Sequence, residues 1–335
     1  MALSIPTITL NDGRAMPLLG LGTYKSTEKE AEKAIVTAAK YGYRLIDTAS
    51  SYKNEDSIGR GIRASGIPRE NFFITTKVWN TAQRVGDIEG AFNRSLDRLR
   101  LDYVDLYLIH WPVPGCYPET WRALEKIRES GRAKSIGVSN FEELHLTALF
   151  EFSGVIPAVN QIECHPLWNR KPLIAFCRSH GIAVQAYAPL ARGLYLNREI
   201  MQQLAEKYVR TEAQIGLRYL VQQGISVIPK STQPDRIFAK RGCLRLSNFL
   251  KPTWRSSTRW TNSSTLLPYR MTCCNCGFTA KAAQKICFFP FQISVLLLLF
   301  LFISRIPSSL LQVQIQSPIA SASSKSCVTR SIVFS

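Results

Sequence analysis

The chain has 335 residues, 46% of them hydrophobic and 20% charged, which is typical of a globular protein. Its net charge of +18 is divided unevenly: residues 1–240 carry 31 basic and 24 acidic residues, whereas residues 241–335 carry 11 basic residues and no acidic one. A nucleic-acid-binding function would therefore depend mostly on the C-terminal part, and we expect no nucleic-acid partner.

Cysteine usage differs between the same two parts. Three cysteines, Cys116, Cys164 and Cys177, lie in residues 1–240, and the other six lie beyond residue 242. Scattered cysteines without an apolar N-terminal leader predict a protein of a reducing compartment, here the cytoplasm, and we expect it to be a monomer.

Eight short apolar runs alternate with helical patterns from residue 18 to about residue 230. Near-continuous apolarity is typical of parallel strands that are covered on both faces. A capping box at Thr27 and Glu30 begins the first helical pattern. We therefore predict an α/β fold, a (β/α)8 barrel in residues 1–240, with an N-terminal β-hairpin that turns at Asp12 and Gly13. The apolar runs span residues 18–24, 44–49, 72–79, 104–110, 135–140, 158–165, 183–190 and 225–230.

A doubly wound sheet is the alternative fold. It predicts a glycine fingerprint after the first strand. The sequence "GLGTYKS" contains Gly20 and Gly22 but no third glycine that opens a helix, so this alternative is weak.

Four ionisable residues fall at the C-terminal ends of predicted strands, which face the active-site mouth of a barrel. Asp47, Lys77 and His110 end the second, third and fourth strands, and Tyr52 follows Asp47 closely. An ammonium group beside a phenol stabilises the phenolate and lowers its pKa. This set predicts carbonyl reduction, with Tyr52 as the acid, Lys77 as its activator, Asp47 as support and His110 as a hydrogen-bond donor. The alternative is that Asp47 and Lys77 form only a structural ion pair.

Three segments resemble signatures of the aldo-keto reductase family and follow one another in the same order along the chain: "GYRLIDTASSYKNEDSIG" (42–59), "KSIGVSNF" (134–141) and "IPKS" (228–231). The resemblance implies NADPH-dependent reduction of small aldehydes or ketones without a metal ion. It places Ser139, Asn140 and Gln161 at the nicotinamide carboxamide and Tyr187 against its ring. Lys230, Ser231 and Arg236 would surround the adenosine 2′-phosphate. The remaining cofactor residues that it implies are Gly22, Thr23 and Leu190.

Aromatic residues at strand ends are candidates for the substrate pocket. Tyr24, Trp79 and Trp111, together with His110, are predicted to line it, the alternative being ordinary core aromatics. The link at residues 111–121 is short and resembles that of compact members of the family, such as prostaglandin F synthases and diketogluconate reductases. A short link leaves an open pocket, which favours broad carbonyl specificity.

The resemblance stops shortly after Arg236. It predicts a Glu-Asn pair at the adenine, where this chain has Ala239 and Lys240. If each codon is read one base earlier, residues 247–261 can encode FELSEADMAKLDALD, the kind of segment that the resemblance predicts here. We therefore interpret residues 241–335 as a frameshifted, basic and disordered tail that replaces the last outer helix.

Two other readings of the C-terminal part are weaker. The apolar run at 286–303 is short for a membrane span and contains Pro290, so a membrane anchor is a weak candidate. The sequence "CCNC" (273–276) lacks a second ligand pair at zinc spacing. The alternative function is a catalytically impaired product that only binds NADP, because the last helix and the substrate loop are lost.

Overall fold

A two-stranded antiparallel hairpin opens the part of the chain that the computed structural model describes, residues 5–245. Strand β1 (Thr7–Thr9) pairs with β2 (Ala15–Pro17). In the turn, Asp12 accepts a hydrogen bond from the backbone N–H of Arg14, and Gly13 has a φ of 84°, a conformation that glycine adopts readily. The predicted hairpin and its turn are confirmed.

Eight parallel strands follow, each paired with the next in chain order. Two isolated parallel bridges, Leu19 with Val227 and Gly22 with Lys230, connect the first and last strands and close the sheet. The (β/α)8 barrel is therefore confirmed, and the doubly wound sheet is wrong. The strands are β3 (Gly20–Gly22), β4 (Leu45–Asp47), β5 (Phe73–Val78), β6 (Val104–Ile109), β7 (Ala133–Ser139), β8 (Val159–Glu163), β9 (Ala183–Tyr187) and β10 (Ser226–Val227).

Helices connect the strands and cover the barrel. The predicted capping box is present at the start of the first helix, where the backbone N–H of Thr27 donates to the Glu30 carboxylate at 3.0 Å. Helix α3 was not predicted; it follows Trp79 directly, before the predicted helix α4. The helices are α1 (Glu28–Lys40), α2 (Glu55–Ala64), α3 (Asn80–Val85), α4 (Ile88–Leu99), α5 (Tyr117–Glu129), α6 (Glu143–Phe152), α7 (Lys171–Ser179), α8 (Glu199–Tyr208), α9 (Glu212–Val221) and α10 (Pro234–Lys240).

Side chains along a strand change from apolar to polar towards its C-terminal end. Leu45 lies two residues before Asp47, and Leu106 and Leu108 precede His110 at the same spacing. Residues two apart in a strand face the same side of the sheet. The three leucines belong to one buried apolar cluster, so the polar groups lie above an apolar floor at one end of the barrel.

The end of the described chain packs against the barrel. Helix α10 has seven residues, and the hydroxyl of Tyr43 donates to the carbonyl oxygen of Ile237 at 2.9 Å. A short 3-10 helix, Arg241–Arg245, follows and buries Cys243 completely. The described structure therefore continues to Arg245, five residues past the predicted boundary at residue 240.

The remainder of the predicted tail, residues 246–335, lies outside the described residues, as do the candidate anchor at 286–303 and the "CCNC" sequence. Within residues 5–245, no helix is both long and apolar enough to cross a bilayer. The same part of the chain contains no group of three or more His, Cys, Asp or Glu side chains that could hold a metal ion.

Candidate active site

A buried lysine joins the residues at the barrel mouth. Lys77 Nζ lies 2.8 Å from Asp47 Oδ1, 2.8 Å from the carbonyl oxygen of Thr48 and 3.4 Å from the hydroxyl of Tyr52. The Lys77 side chain is fully buried and that of Asp47 nearly so. A buried ammonium group needs such partners, because burial without them is very unfavourable. Lys77 thus joins Asp47 and Tyr52 in one hydrogen-bonded group.

A short 3-10 helix, Ser50–Tyr52, positions the phenol above the lysine. Its first residue is anchored to β5, because Ser50 Oγ donates to the backbone carbonyl of Lys77 at 2.9 Å. The turn ends at Lys53, whose φ of 56° lies in the left-handed region and redirects the chain into helix α2. The Ser50 hydrogen bond and the left-handed turn at Lys53 therefore fix the place of Tyr52 relative to β5.

Aromatic rings surround Asp47, Tyr52, Lys77 and His110, the predicted catalytic tetrad. The ring of His110 lies edge-on to Tyr52, with centroids 5.8 Å apart, and edge-on to Trp79, with centroids 5.0 Å apart. Tyr24 lies 5.0 Å from Tyr52 between ring centroids and is 55% exposed. The structure therefore brings the predicted Tyr24 and Trp79 to the tetrad. Trp111 follows His110 directly, and its carbonyl accepts a hydrogen bond from Gln83.

Burial sets the protonation states of this group. It raises the pKa of the Tyr52 phenol well above 10, and the Asp47 carboxylate raises it further. Burial and the charge of Lys77 hold the pKa of His110 well below 6.5. At neutral pH, Tyr52 therefore carries its proton and His110 is an uncharged imidazole.

The net shift of the Tyr52 pKa is upward, so burial and the Asp47 carboxylate outweigh the lowering that was expected from the Lys77 ammonium group. Burial lowers the pKa of Lys77 itself, while the nearby Asp47 carboxylate raises it. The ammonium charge is compensated by Asp47, so its effect on the phenol is smaller than the effect of burial.

One neighbour of His110 was missed by sequence reasoning. Ser51 Oγ lies 3.5 Å from His110 Nδ1. Its position one residue before Tyr52 was visible in the sequence, but its direction depends on the fold of the 3-10 helix.

The predicted nicotinamide residues form a second hydrogen-bonded group that touches the first. Gln161 Nε2 donates to Asp47 Oδ2 at 2.7 Å and to Gln185 Oε1 at 2.6 Å. Asn140 Nδ2 donates to the backbone carbonyl of His110 at 3.0 Å, and the hydroxyl of Tyr187 donates to Asn140 Oδ1 at 2.8 Å. The structure thus links these residues to the tetrad. Gln185 was not predicted.

The other predicted cofactor residues lie around the same mouth. Ser139 Oγ donates to the backbone carbonyl of Gln161 at 2.8 Å, and Thr23 Oγ1 donates to that of Asp47 at 2.9 Å. A Cβ atom at Gly22 would lie 2.6 Å from the Ile228 carbonyl oxygen, so only glycine fits there. Leu190 precedes a short 3-10 helix, Ala191–Gly193, just beyond β9.

A group of cations lies at the start and end of α10. Lys230 and Arg236 are exposed, whereas Lys240 is only 6% exposed and donates from Nζ to the backbone carbonyl of Lys230 at 2.7 Å. The hydroxyl of Ser231 accepts a hydrogen bond from the Gln233 N–H. Within residues 5–245, none of the three cations forms an ion pair with a carboxylate. Such a donor set suits a dianionic phosphate.

A family model described as the aldo/keto reductase family matches residues 18–248, more than half of the chain. The chain belongs to the aldo-keto reductase family. Glyoxal reductase of Bacillus subtilis is 47% identical over 232 residues, covering 69% of this chain and 84% of that protein. The 9,11-endoperoxide prostaglandin H2 reductase of Trypanosoma cruzi is 45% identical over 234 residues, covering 69% of this chain and 83% of that protein.

A solved structure agrees with this assignment. The crystal structure of a Bombyx mori aldo-keto reductase in complex with NADP is 38% identical and has a TM-score of 0.69; the match covers 73% of this chain and 90% of that one. Aldo-keto reductases are oxidoreductases that use NADP(H). The phosphate-suited cation group and the polar set around Gln161 fit this cofactor.

Proposed function

We propose that the chain reduces small aldehydes and ketones to alcohols with NADPH. The observation that carries this proposal is the buried contact of Lys77 with both Asp47 and Tyr52, beside His110 at the mouth of the barrel. A structural ion pair alone would not need a phenol and an uncharged imidazole at the same opening.

Each member of the tetrad has one role in the proposed reaction. When bound, NADPH supplies the hydride that reduces the carbonyl carbon. Tyr52 gives its proton to the carbonyl oxygen, and His110 donates a hydrogen bond to that oxygen. Lys77 stabilises the phenolate that remains on Tyr52, and Asp47 keeps Lys77 charged and in place.

The protonation states support these roles. Because the pKa of Tyr52 lies well above 10, the phenol carries the transferable proton throughout the neutral range. An uncharged imidazole has one N–H donor. We propose that Ser51 donates its hydroxyl proton to His110 Nδ1, which leaves Nε2 as the N–H that meets the carbonyl oxygen.

Cofactor binding is proposed at two further groups of residues, the polar set around Gln161 and the cations at α10. Ser139, Asn140 and Gln161 would hold the carboxamide and Tyr187 the ring, with Gly22, Thr23 and Leu190 beside them. The hydrogen bond between Gln161 and Asp47 supports this proposal, because it links Gln161 to one of the proposed catalytic residues. Lys230, Ser231 and Arg236 would hold the 2′-phosphate, which favours NADP over NAD.

The substrate pocket is proposed to be open and aromatic, lined by Tyr24, Trp79 and Trp111 with His110. The exposure of Tyr24 supports an open mouth. The link after His110 is short, since helix α5 already begins at Tyr117. We propose broad carbonyl specificity of the compact prostaglandin F synthase type, and we propose that the enzyme is monomeric and cytoplasmic. The name of one relative, a glyoxal reductase, agrees with small carbonyl substrates.

A Tyr52→Phe variant tests the role of the phenol. We expect NADPH oxidation with an aromatic aldehyde to fall about 100-fold to 10,000-fold, since general acid catalysis contributes a factor of this size. NADP binding, followed by a thermal melt with and without cofactor, should stay nearly unchanged. Tyr103→Phe is the matched control, because Tyr103 packs against Arg69 and Lys134 away from the tetrad. Full turnover in Tyr52→Phe would overturn the assignment, and a cofactor-dependent melt of the wild type without turnover would favour the NADP-binding-only alternative.

We also propose that residues 1–240 form the reductase barrel and that the reading frame changes just after Arg236, near Ala239 and Lys240. Asp235 is the last acidic residue of the chain, and the family match ends at residue 248. Sequencing codons 236–262 and mass spectrometry of the native protein test this proposal. Recovery of an acidic, helix-forming segment supports it, and an intact frame that gives the present C-terminal sequence overturns it.

A further inference from the structure

Lys240 is a buried cation that the proposed mechanism does not use. It ends helix α10, is 6% exposed, and reaches back from the helix to donate to the backbone carbonyl of Lys230 at 2.7 Å. The resemblance predicts an uncharged adenine contact at this position. The hydrogen bond instead places an ammonium group against the segment that carries Lys230 and Ser231.

The charged groups that shift the pKa of Lys240 are of its own sign. Lys230 and Arg236 both interact with it electrostatically, and among residues 5–245 it forms no ion pair with a carboxylate. Glu30, at the start of α1, interacts with Lys230, but its carboxylate is bound to Thr27. Helix α10 itself also carries Asp235, and the elements packed against it carry further titratable groups. These are Glu28, Lys29, Glu32, Lys33 and Lys40 on α1, Glu212, Arg218 and Tyr219 on α9, Arg241, Cys243 and Arg245 in the following 3-10 helix, and the nearby Tyr41 and Tyr43.

This environment opposes the charged form of Lys240. Burial, with the neighbouring charges of Arg236 and Lys230, lowers the pKa of its ammonium group to about 7. Near neutral pH the side chain is therefore divided between its charged and uncharged forms. A negative charge brought to this cluster would shift that balance towards the charged form.

We propose that Lys240 is a third cationic group of the phosphate site, and that a nucleotide with a 2′-phosphate binds together with one proton taken up at Lys240. This proposal rests on the proposed function, which places the phosphate at Lys230, Ser231 and Arg236. The phosphate supplies the countercharge that the cluster lacks. A dinucleotide without that phosphate does not change the protonation state of Lys240. Lys240 therefore discriminates between NADP and NAD in a pH-dependent way.

The sign of the pH dependence follows from the linkage. Below pH 7, Lys240 is already protonated in the free protein, and NADP binds without a proton at this group. Above pH 7 the proton must be taken up, so the affinity falls by up to about tenfold per pH unit. A phosphate monoester loses its second charge below about pH 6. NADP affinity should therefore be highest between about pH 6 and 7.

The test is direct binding to the full 335-residue chain. Dissociation constants for NADP and NAD are measured by calorimetry from pH 6 to pH 9, in the wild type and in Lys240→Gln, whose amide can still donate to the Lys230 carbonyl. We expect NADP affinity of the wild type to fall about tenfold or more between pH 7 and 9, and NAD affinity to stay flat. Lys240→Gln should bind NADP more weakly at pH 7 and should converge with the wild type at pH 9.

Calorimetry in buffers of different ionisation enthalpy provides a second measurement that needs no variant. At pH 8, NADP binding to the wild type should take up close to one proton, and NAD binding none. No proton uptake by the wild type, or the same pH slope in Lys240→Gln, would overturn the proposal.

Lys230→Met separates this inference from the proposed function. If Lys230→Met loses the preference for NADP over NAD while Lys240→Gln keeps the wild-type pH slope, only the role of Lys240 is wrong. If Lys230→Met also keeps the preference, the phosphate does not bind at this cluster and the proposed site itself is wrong.

Discussion

Two buried lysines, one at each end of the proposed cofactor site, have contrasting environments. At the barrel mouth, Lys77 is fully buried but hydrogen-bonded to Asp47, Thr48 and Tyr52. At α10, Lys240 is nearly as buried but has only a backbone carbonyl and two cations around it. A paired buried charge stays ionised and fixes a geometry, whereas a buried cation without a countercharge has a lowered pKa and, in our proposal, receives its countercharge from a ligand.

The largest effect is expected from removing Lys77 from its buried ion pair with Asp47. Lys77→Met leaves the Asp47 carboxylate buried without its cation, which costs about 3–5 kcal/mol of unfolding free energy. We also expect turnover to fall about 100-fold or more, because the phenolate of Tyr52 loses its stabilising charge. Chemical denaturation and NADPH oxidation measure the two effects.

Lys77→Met combined with Asp47→Leu is the matched control for that variant. Replacing both members of a buried ion pair with apolar residues removes the unpaired charge, so stability should recover while turnover stays low. Recovery of turnover together with stability would show that the pair is structural only.

Substitutions in the cation group at α10 should change the preference for NADP over NAD and leave turnover nearly unchanged. In Arg236→Gln, a charged hydrogen-bond donor to the phosphate is lost, so NADP affinity should fall roughly 10-fold to 100-fold. NAD affinity should stay the same, and kcat at saturating NADPH should change little. An equal loss of NAD and NADP binding would show that Arg236 holds another part of the cofactor.

Lys240 should also make stability depend on pH when no nucleotide is bound. Its pKa is about 7 in the folded protein and near 10.5 in the unfolded chain. Between these values the unfolded chain binds more protons, so this group makes the protein more stable as pH rises from 7 towards 10 and less stable as pH falls to 7. The difference in melting temperature between wild type and Lys240→Gln should follow this trend. A difference that is constant with pH would contradict it.

The smallest effect is expected at Ser51. Ser51→Ala removes the hydroxyl next to His110 Nδ1, so the imidazole is no longer held in one tautomer. We expect kcat/KM to fall about 3-fold to 10-fold, as for the loss of one neutral hydrogen bond of about 1 kcal/mol. The melting temperature should stay unchanged, and Ser51→Thr should restore most of the activity. A Ser51→Ala variant with wild-type kinetics would show that Ser51 does not position His110.

Local signals in the sequence were enough to predict the barrel and the polar residues that meet at its mouth. The Asp12-Gly13 turn, the capping box at Thr27 and the apolar strands have local causes, and polar residues at strand ends locate the mouth of any barrel. The direction of the Tyr52 pKa shift was not predictable in this way, since it depends on how deeply the phenol and Asp47 are enclosed. Ser51, Gln185 and the burial of Lys240 were missed for the same reason. Their contacts join residues from different elements.

Transfer of a labelled hydride tests the central claim most directly. The full-length chain is incubated with NADPH that carries deuterium at the reactive C4 position of the nicotinamide, together with an aromatic aldehyde, and the alcohol is analysed by mass spectrometry. The account predicts one deuterium on the carbinol carbon in the wild type and almost no alcohol with Tyr52→Phe. Absence of alcohol from the wild type at saturating NADPH would contradict it.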